Sequence, residues 1–367
     1  MRTDSSWPGA GQGLAGDFFA LTHRKVPGLD GLRGLACLMI FNVHFFAQFA
    51  AKDYFVQPGS LVHTLLRTLH SGSHGVDVFF VISGFLIYSS IRRTRPGFAR
   101  FLLMRYARLL PVVLVVNVPA LYWIDASWRE VVDNIFFLGI FPGSRMVTLV
   151  SWALVYEMYF YILCGLWLIT LGQGRDGPPW ASYAVLFTLY VLNSLVLHQN
   201  QVLSDWRFVG FFVGLGLAML HEDQRTKGLV HKVPAGIWPL CLGLMLLACW
   251  LWSKDALGWL SARSPALALG YYAAFDLVVA LLVASFLKPK PSSSPFTAKW
   301  TRVLGAVSYS LFLSHTQWGL PLAGSLAGLQ PFGLAGLGLY YLWSLGLSLA
   351  LACLLFMYLE RFYFIKR

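Results

Sequence analysis

Two ionisable side chains within one apolar stretch define the chemistry to be explained. In LDGLRGLACLMIFNVHFF, residues 29 to 46, Arg33 stands near the start and His44 well inside. On an α-helix their separation amounts to roughly 16 Å of rise and about 1,100° of rotation, close to three whole turns, so the two share one face. Imidazole is the usual general base for a hydroxyl that must lose its proton as it attacks a carbonyl. Sunk in lipid it is costly, which favours a functional role over the competing reading, a hydrogen bond to a neighbouring helix.

Four further stretches carry polar groups at places where an apolar chain would not need them. HSGSHGVDVFFVISGFLIYSS sets Ser83 and Gly84 in an aromatic helix, where small residues let another helix or a narrow substrate arm come close. RRTRPGFARFLLMRYAR is the densest basic run, and its Arg105 and Arg108 lie at i and i+3 on one helix side. Clustered guanidinium groups suit phosphate recognition, while anionic-lipid contact and topology explain the rest of the run. SWALVYEMYFYIL holds Glu157, an intramembrane carboxylate with no helix-mate of opposite charge, so its partner must come from another helix. LGAVSYSLFLSH ends on a second histidine, His315.

Together these stretches resemble the membrane acyltransferase-3 family, bacterial enzymes that O-acylate sugars and related molecules. The resemblance rests on Arg33, ten residues and His44; on Gly75, Phe79, Phe80, Ser83, Gly84 and Phe85; and on the paired Arg105 and Arg108. It continues through Ser151, Trp152, Leu154, Glu157, Phe160 and Tyr161 to Ser308, Tyr309, Leu311, Leu313 and His315, covering the chain from about residue 28 to about residue 316. Members often carry a proline soon after the glutamate matching Glu360; here Arg361 and Phe362 follow, which affects only the end of the last helix.

The resemblance implies acyl transfer from acyl-CoA, most simply acetyl-CoA, to a hydroxyl of a glycan or lipid-linked sugar. No metal is called for. His44 is the expected base, or the site of an acyl-histidine intermediate, and Glu157 the group that orients or charge-stabilises its ring. Arg33, Arg105 and Arg108 are expected to hold the donor's phosphates, the rise from Arg33 to His44 being comparable to an extended pantetheine arm. Oxyanion or substrate contacts fall to Asn42, Ser83 and Tyr309, with His315 and Asp276 as further polar members.

The elements that must position these groups follow from composition. The 367 residues are 57% hydrophobic and 12% charged, with a mean hydropathy of +0.63. That is about half the charge of a soluble chain and indicates an all-α integral membrane protein. About ten transmembrane helices are expected, near 31–50, 76–91, 109–124, 149–171, 181–198, 206–220, 235–252, 268–287, 304–324 and 333–358. Residues 1–27 read as a cytoplasmic tail whose LAGDFFALTHRK is expected as a short amphipathic helix on the membrane surface, and 28–367 as one polytopic domain. Pro27, Gly28 and Asp30 suggest a turn and N-cap before the first helix.

The net charge of +12 is topogenic. With both termini cytoplasmic, Lys and Arg favour the inner segments by roughly three to one, the positive-inside pattern of a bacterial inner membrane, and nucleic-acid binding is not expected. The five cysteines fall within spans and form no ligand pattern. No cleavable leader is expected at the start and no hydrolase extension after the last span, and on that expectation relay of the acyl group to a second acceptor would need a separate protein.

Depth offers an independent expectation. His44 and His315 come out roughly 16 to 17 Å above the inner ends of their helices, and Glu157 and Asp276 at about 20 Å, which predicts one polar chamber slightly above the midplane. Two other function classes fit buried His and Glu in ten spans: a proton-coupled secondary transporter or flippase, and a structural membrane partner without chemistry.

Overall fold

The structure is a computed structural model that describes residues 26–138, 146, 148–172, 178–198, 201–288, 294–327 and 333–361. The expected amphipathic piece LAGDFFALTHRK lies outside the described residues, as do the last three residues of IFFLGIF, an apolar run too short to span and so expected to be re-entrant or interfacial. Among those described there is no strand. The longer helices are α1 (Pro27–Ala47), α2 (Leu61–His70), α3 (Gly75–Thr94), α4 (Phe98–Trp123), α5 (Trp128–Phe136), α6 (Trp152–Cys164) and α7 (Trp180–Leu192). They continue as α8 (Val209–Glu222), α9 (Trp238–Ser253), α10 (Ala256–Arg263), α11 (Pro265–Phe286), α12 (Lys299–Ser314), α13 (Leu320–Ala327) and α14 (Gly333–Leu355).

The chain is a multi-pass membrane protein. Helices stand at all ten expected places, and among the described residues 8 are long and apolar enough to cross a membrane. The other two are α8, which is short at 14 residues, and the run from α12 into α13, whose Ser308, Ser310, Ser314, His315, Thr316 and Gln317 dilute its apolar character. Outward-facing Leu189 on α7, Leu240 on α9 and Leu339 on α14 are 55%, 61% and 71% exposed, which places these helices at the lipid periphery. The α1 and α3 helices are central.

Several boundaries differ from expectation for local reasons. Helix α1 begins at Pro27, which supplies the fixed φ of a first helical residue, so Asp30 sits in the first turn rather than capping it. The outer stretch read as a loop before residue 75 contains α2, started by Ser60, whose hydroxyl accepts from the His63 amide at 3.1 Å. The third span starts well before residue 109: α4 runs unbroken from Phe98 with Pro111 and Pro119 inside it. Arg92 and Arg93 close α3, Arg95 turns through a left-handed φ of 43°, and Arg105 and Arg108 belong to α4.

Two helix crossings make up the centre, α1 with α12 and α3 with α8. Both are backbone-close. A Cβ on Gly305 of α12 would run into the Asp30 carbonyl oxygen of α1, and one on Gly214 of α8 into the Val81 carbonyl oxygen of α3. Gly84 therefore serves packing, since a Cβ there would meet the Phe211 carbonyl oxygen. Close approach of this kind gives van der Waals contact where lipid supplies no hydrophobic drive between helices.

Gly305→Ala and Gly214→Ala should each force their crossing apart, at an overpacking cost of about 1–3 kcal/mol. Size-exclusion profiles and unfolding midpoints in detergent would read this, with Gly243→Ala, whose Cβ meets nothing within 4 Å, as the silent control. Equal behaviour of all three variants would remove the crossings as a constraint.

Candidate functional site

The two crossing helices α1 and α12 bring two histidines together. His44 Nδ1 lies 3.0 Å from the Ile40 carbonyl oxygen and 3.0 Å from His315 Nε2. His315 Nδ1 in turn lies 2.9 Å from the Leu311 carbonyl oxygen. A carbonyl only accepts, so Nδ1 of His315 carries its proton and Nε2 offers a lone pair. His44 Nδ1 then donates to both Ile40 and His315, and the remaining nitrogen, His44 Nε2, is left unprotonated. The reverse tautomers would aim two lone pairs at two carbonyl oxygens. His315 is fully buried and opens a π-helical turn, His315–Gly319, whereas His44 is only partly buried.

Glu157 is not the group that orients His44. Its Oε1 accepts from the Tyr161 hydroxyl, one turn on in α6, and from the Ser83 hydroxyl of α3 at 3.3 Å. Among the described residues no hydrogen bond or ion pair joins it to His44. The partner it required is thus two hydroxyls, and the ring's partner is a second ring.

Glu157 and Ser83 line a narrow cavity of about 90 Å³ with Arg33, Arg105, Arg108 and Tyr309. All three expected cationic residues therefore meet in one place. Arg105 donates to the Ser90 hydroxyl at 3.0 Å and packs its guanidinium over the Phe101 and Tyr161 rings at 5.6 and 5.8 Å. Phe312 walls the same cavity, and its ring centroid is 6.5 Å from that of His315. The histidine pair is not among the lining residues; it lies one aromatic side chain farther along α12.

The three oxyanion candidates hold other partners. Tyr309 donates to the Leu109 carbonyl at 2.8 Å, Ser83 to Glu157, and Asn42 accepts from Tyr341 at 2.8 Å. Asp276 does not join a common chamber either. It is fully buried on α11, its Oδ2 would be 3.2 Å from a Cβ on Gly210, and neither oxygen has a hydrogen-bond partner among the described residues. Equal depth did not mean equal place, because rise along a helix says nothing about which neighbour a side chain faces.

A second polar cluster was missed in the sequence. Asp77, in the first turn of α3, takes Arg207 Nη1 at 3.1 and 3.2 Å on its two oxygens and meets His74 Nδ1 at 2.7 Å. His74 Nε2 contacts the Tyr271 hydroxyl at 2.9 Å, which itself donates to the Ala248 carbonyl. Arg207 is stacked among Trp152, Trp252 and Tyr272, so it is an ion-pair partner enclosed by aromatic rings. The signal was the His74 and Asp77 pair at i and i+3 where a span begins. Among the described residues, no three His, Cys, Asp or Glu side chains gather so as to hold a metal ion.

Residues 26–357 match the protein family described as an acyltransferase domain. The chain is 25% identical over 338 residues to the "Putative peptidoglycan O-acetyltransferase YrhL" of Bacillus subtilis, covering 80% of this chain and 48% of that protein. It is 24% identical to a "Putative O-acetyltransferase" of Staphylococcus aureus strain COL, covering 80% and 50% respectively. The chain thus spans about half the length of these two relatives. A "Putative membrane-bound transacylase BcsY" of Komagataeibacter xylinus is 26% identical, over 90% of this chain and 74% of that protein. No solved structure matches the chain.

Removing one member of the Asp77 cluster leaves a charge buried without its counter-ion, which typically costs about 3–5 kcal/mol. Arg207→Met should therefore destabilise strongly in denaturant titrations in detergent, and adding Asp77→Asn should restore much of the loss. Additive losses would show that the two side chains do not act as a pair.

Proposed function

The chain belongs to the acyltransferase-domain family, and from that premise we propose that it transfers an acyl group, most simply acetyl, from acyl-CoA to a hydroxyl of a glycan or lipid-linked sugar at a bacterial inner membrane. The observation that carries the reading is the hydrogen bond between His44 and His315, which leaves His44 Nε2 with its lone pair free of both backbone and partner.

The proposed reaction uses that lone pair. The acceptor oxygen attacks the thioester carbonyl carbon while its proton passes to His44 Nε2. The C–S bond then breaks, the ester remains on the acceptor, and the proton moves from the imidazolium to the departing thiolate. His315 acts through His44: its Nε2 lone pair accepts the hydrogen bond from that ring's Nδ1–H and steadies the imidazolium, the part a carboxylate has in other triads. His315 is accordingly a positioning residue.

The two substrates have separate approaches in this reading. The narrow cavity with Arg33, Arg105 and Arg108 suits an extended acyl-pantetheine thread rather than a bulky group. At the opposite end of α1, a cleft of about 560 Å³ is lined by Tyr54, His70, Trp252, Asp53 and Asp255, and by Val43, next in sequence to His44. Aromatic faces beside carboxylates are suited to the C–H faces and hydroxyls of a sugar. Phe312 separates the thread cavity from the pair, and its side chain must turn aside for the thioester to reach His44. Family membership favours acyl transfer over the transporter or flippase.

The decisive experiment incubates the purified protein, reconstituted in lipid, with labelled acetyl-CoA and membrane glycan acceptors, and follows label into product and protein. His44→Ala should lower turnover by about 10²–10⁴-fold, the range for a lost general base. His315→Ala should lower kcat while leaving the KM for acetyl-CoA unchanged, and the double variant should be no worse than His44→Ala alone. Retained turnover in His44→Ala would remove the base, and label held on the wild-type protein would indicate an acyl-histidine.

A further inference from the structure

Beneath the thread cavity lies a second, much larger one. It has a volume of about 810 Å³ and shares Arg33 and Leu86 with the narrow cavity as common walls. Arg92 and Arg93 from the end of α3 and Lys227 from the short helix Lys227–Lys232 line it, against Asp30 and Glu222. Four cations thus face two carboxylates, and Glu222 is already paired with Arg92 at 3.6 Å. The sequence assigned this basic run to topology, yet its first members wall a chamber that opens at the basic end of the bundle.

Size sorts the two cavities. About 90 Å³ admits a thread, whereas about 810 Å³ is within the roughly 300–1,000 Å³ of sites that enclose a small molecule. Resting on the donor assignment above, we propose that this mouth binds the phosphorylated nucleotide of the donor. Arg93 and Lys227 hold its 3′-phosphate, and Arg33 stands at the neck where the pantetheine arm enters the narrow cavity. Arg105 and Arg108 then act deeper, along the arm and beside Glu157, rather than on the nucleotide. A phosphate ester is the ligand chemistry, and a lipid headgroup is the other source of it.

The test is equilibrium binding of labelled acetyl-CoA to the full chain in phosphatidylcholine nanodiscs, competed by CoA, 3′-dephospho-CoA and pantetheine. Wild-type protein should bind CoA about tenfold or more tighter than 3′-dephospho-CoA, the scale of one charge-assisted contact. Arg93→Gln with Lys227→Gln should erase that difference and leave competition by pantetheine unchanged. Wild-type affinity for CoA in the double variant, or an equal loss for pantetheine, would overturn the site while leaving the donor reading standing. No binding of acetyl-CoA by the wild type would sink both. Discrimination that disappears when phosphatidylglycerol replaces phosphatidylcholine would assign these cations to lipid headgroups and overturn the proposal as well.

Discussion

The close crossing of α1 and α12 is the constraint on which the rest depends. A hydrogen bond of 3.0 Å between two imidazoles on separate helices requires those helices to be held at a fixed separation and rotation. Lipid provides little hydrophobic drive for this, so the backbone itself must be brought near. Gly31 and Gly34 on α1 and Gly305 on α12 permit it: each lacks the Cβ that would strike the Phe296, Thr301 or Asp30 backbone. Cys37 donates across the same seam to the Ser308 carbonyl at 3.3 Å, midway between the glycines and the histidine pair. Contact is thereby continuous along the seam, and the ring geometry at its far end follows from packing near its start.

The second crossing, α3 with α8, has a complementary effect. It holds the face of α3 that bears Ser83 toward α6, where Glu157 receives it, and the face that bears Asp77 toward Arg207. One helix therefore separates two polar networks of different character. The network facing the narrow cavity, in which Ser83 and Tyr161 donate to Glu157 and Arg105 to Ser90, borders open space that a ligand can enter. The one around Asp77 is closed by paired ions and aromatic rings, an arrangement that fixes structure.

What the sequence disclosed and what it withheld divide along physical lines. Hydropathy and helical periodicity depend on local order, so the spans and the shared face of Arg33 and His44 were legible. The meeting of Arg33, Arg105 and Arg108 was legible too, since all three lie near the basic ends of helices. Partners were not. His44 and His315 are 271 positions apart, and nothing along the chain states that their helices touch. Glu157 was matched to the wrong group because depth fixes one coordinate out of three. The pairing of Arg207 with Asp77 was hidden as well, since an ion pair across 130 positions leaves no mark on local composition.

The choice of a second imidazole, rather than a carboxylate, behind the proposed base has a consequence for how charge is managed in the bilayer. A permanently ionised orienting group at this depth would need a counter-ion at all times, since an unpaired charge in low dielectric costs several kcal/mol. Two neutral rings locked by the Ile40 and Leu311 carbonyls carry no net charge at rest. In the proposed reaction a positive charge arises on His44 only as the alcohol gives up its proton, at the moment when negative charge develops on the thioester oxygen. The ion pair forms together and vanishes together, so the site has no need of a standing charge near the middle of the membrane. Glu157, by contrast, sits on the arginine side of Phe312, where guanidinium groups share its cavity. Around the site, the fixed charges of Glu157 and the arginines thus stay on one side of Phe312 and the transient one arises at the histidine pair, a division that follows from the cost of burying each.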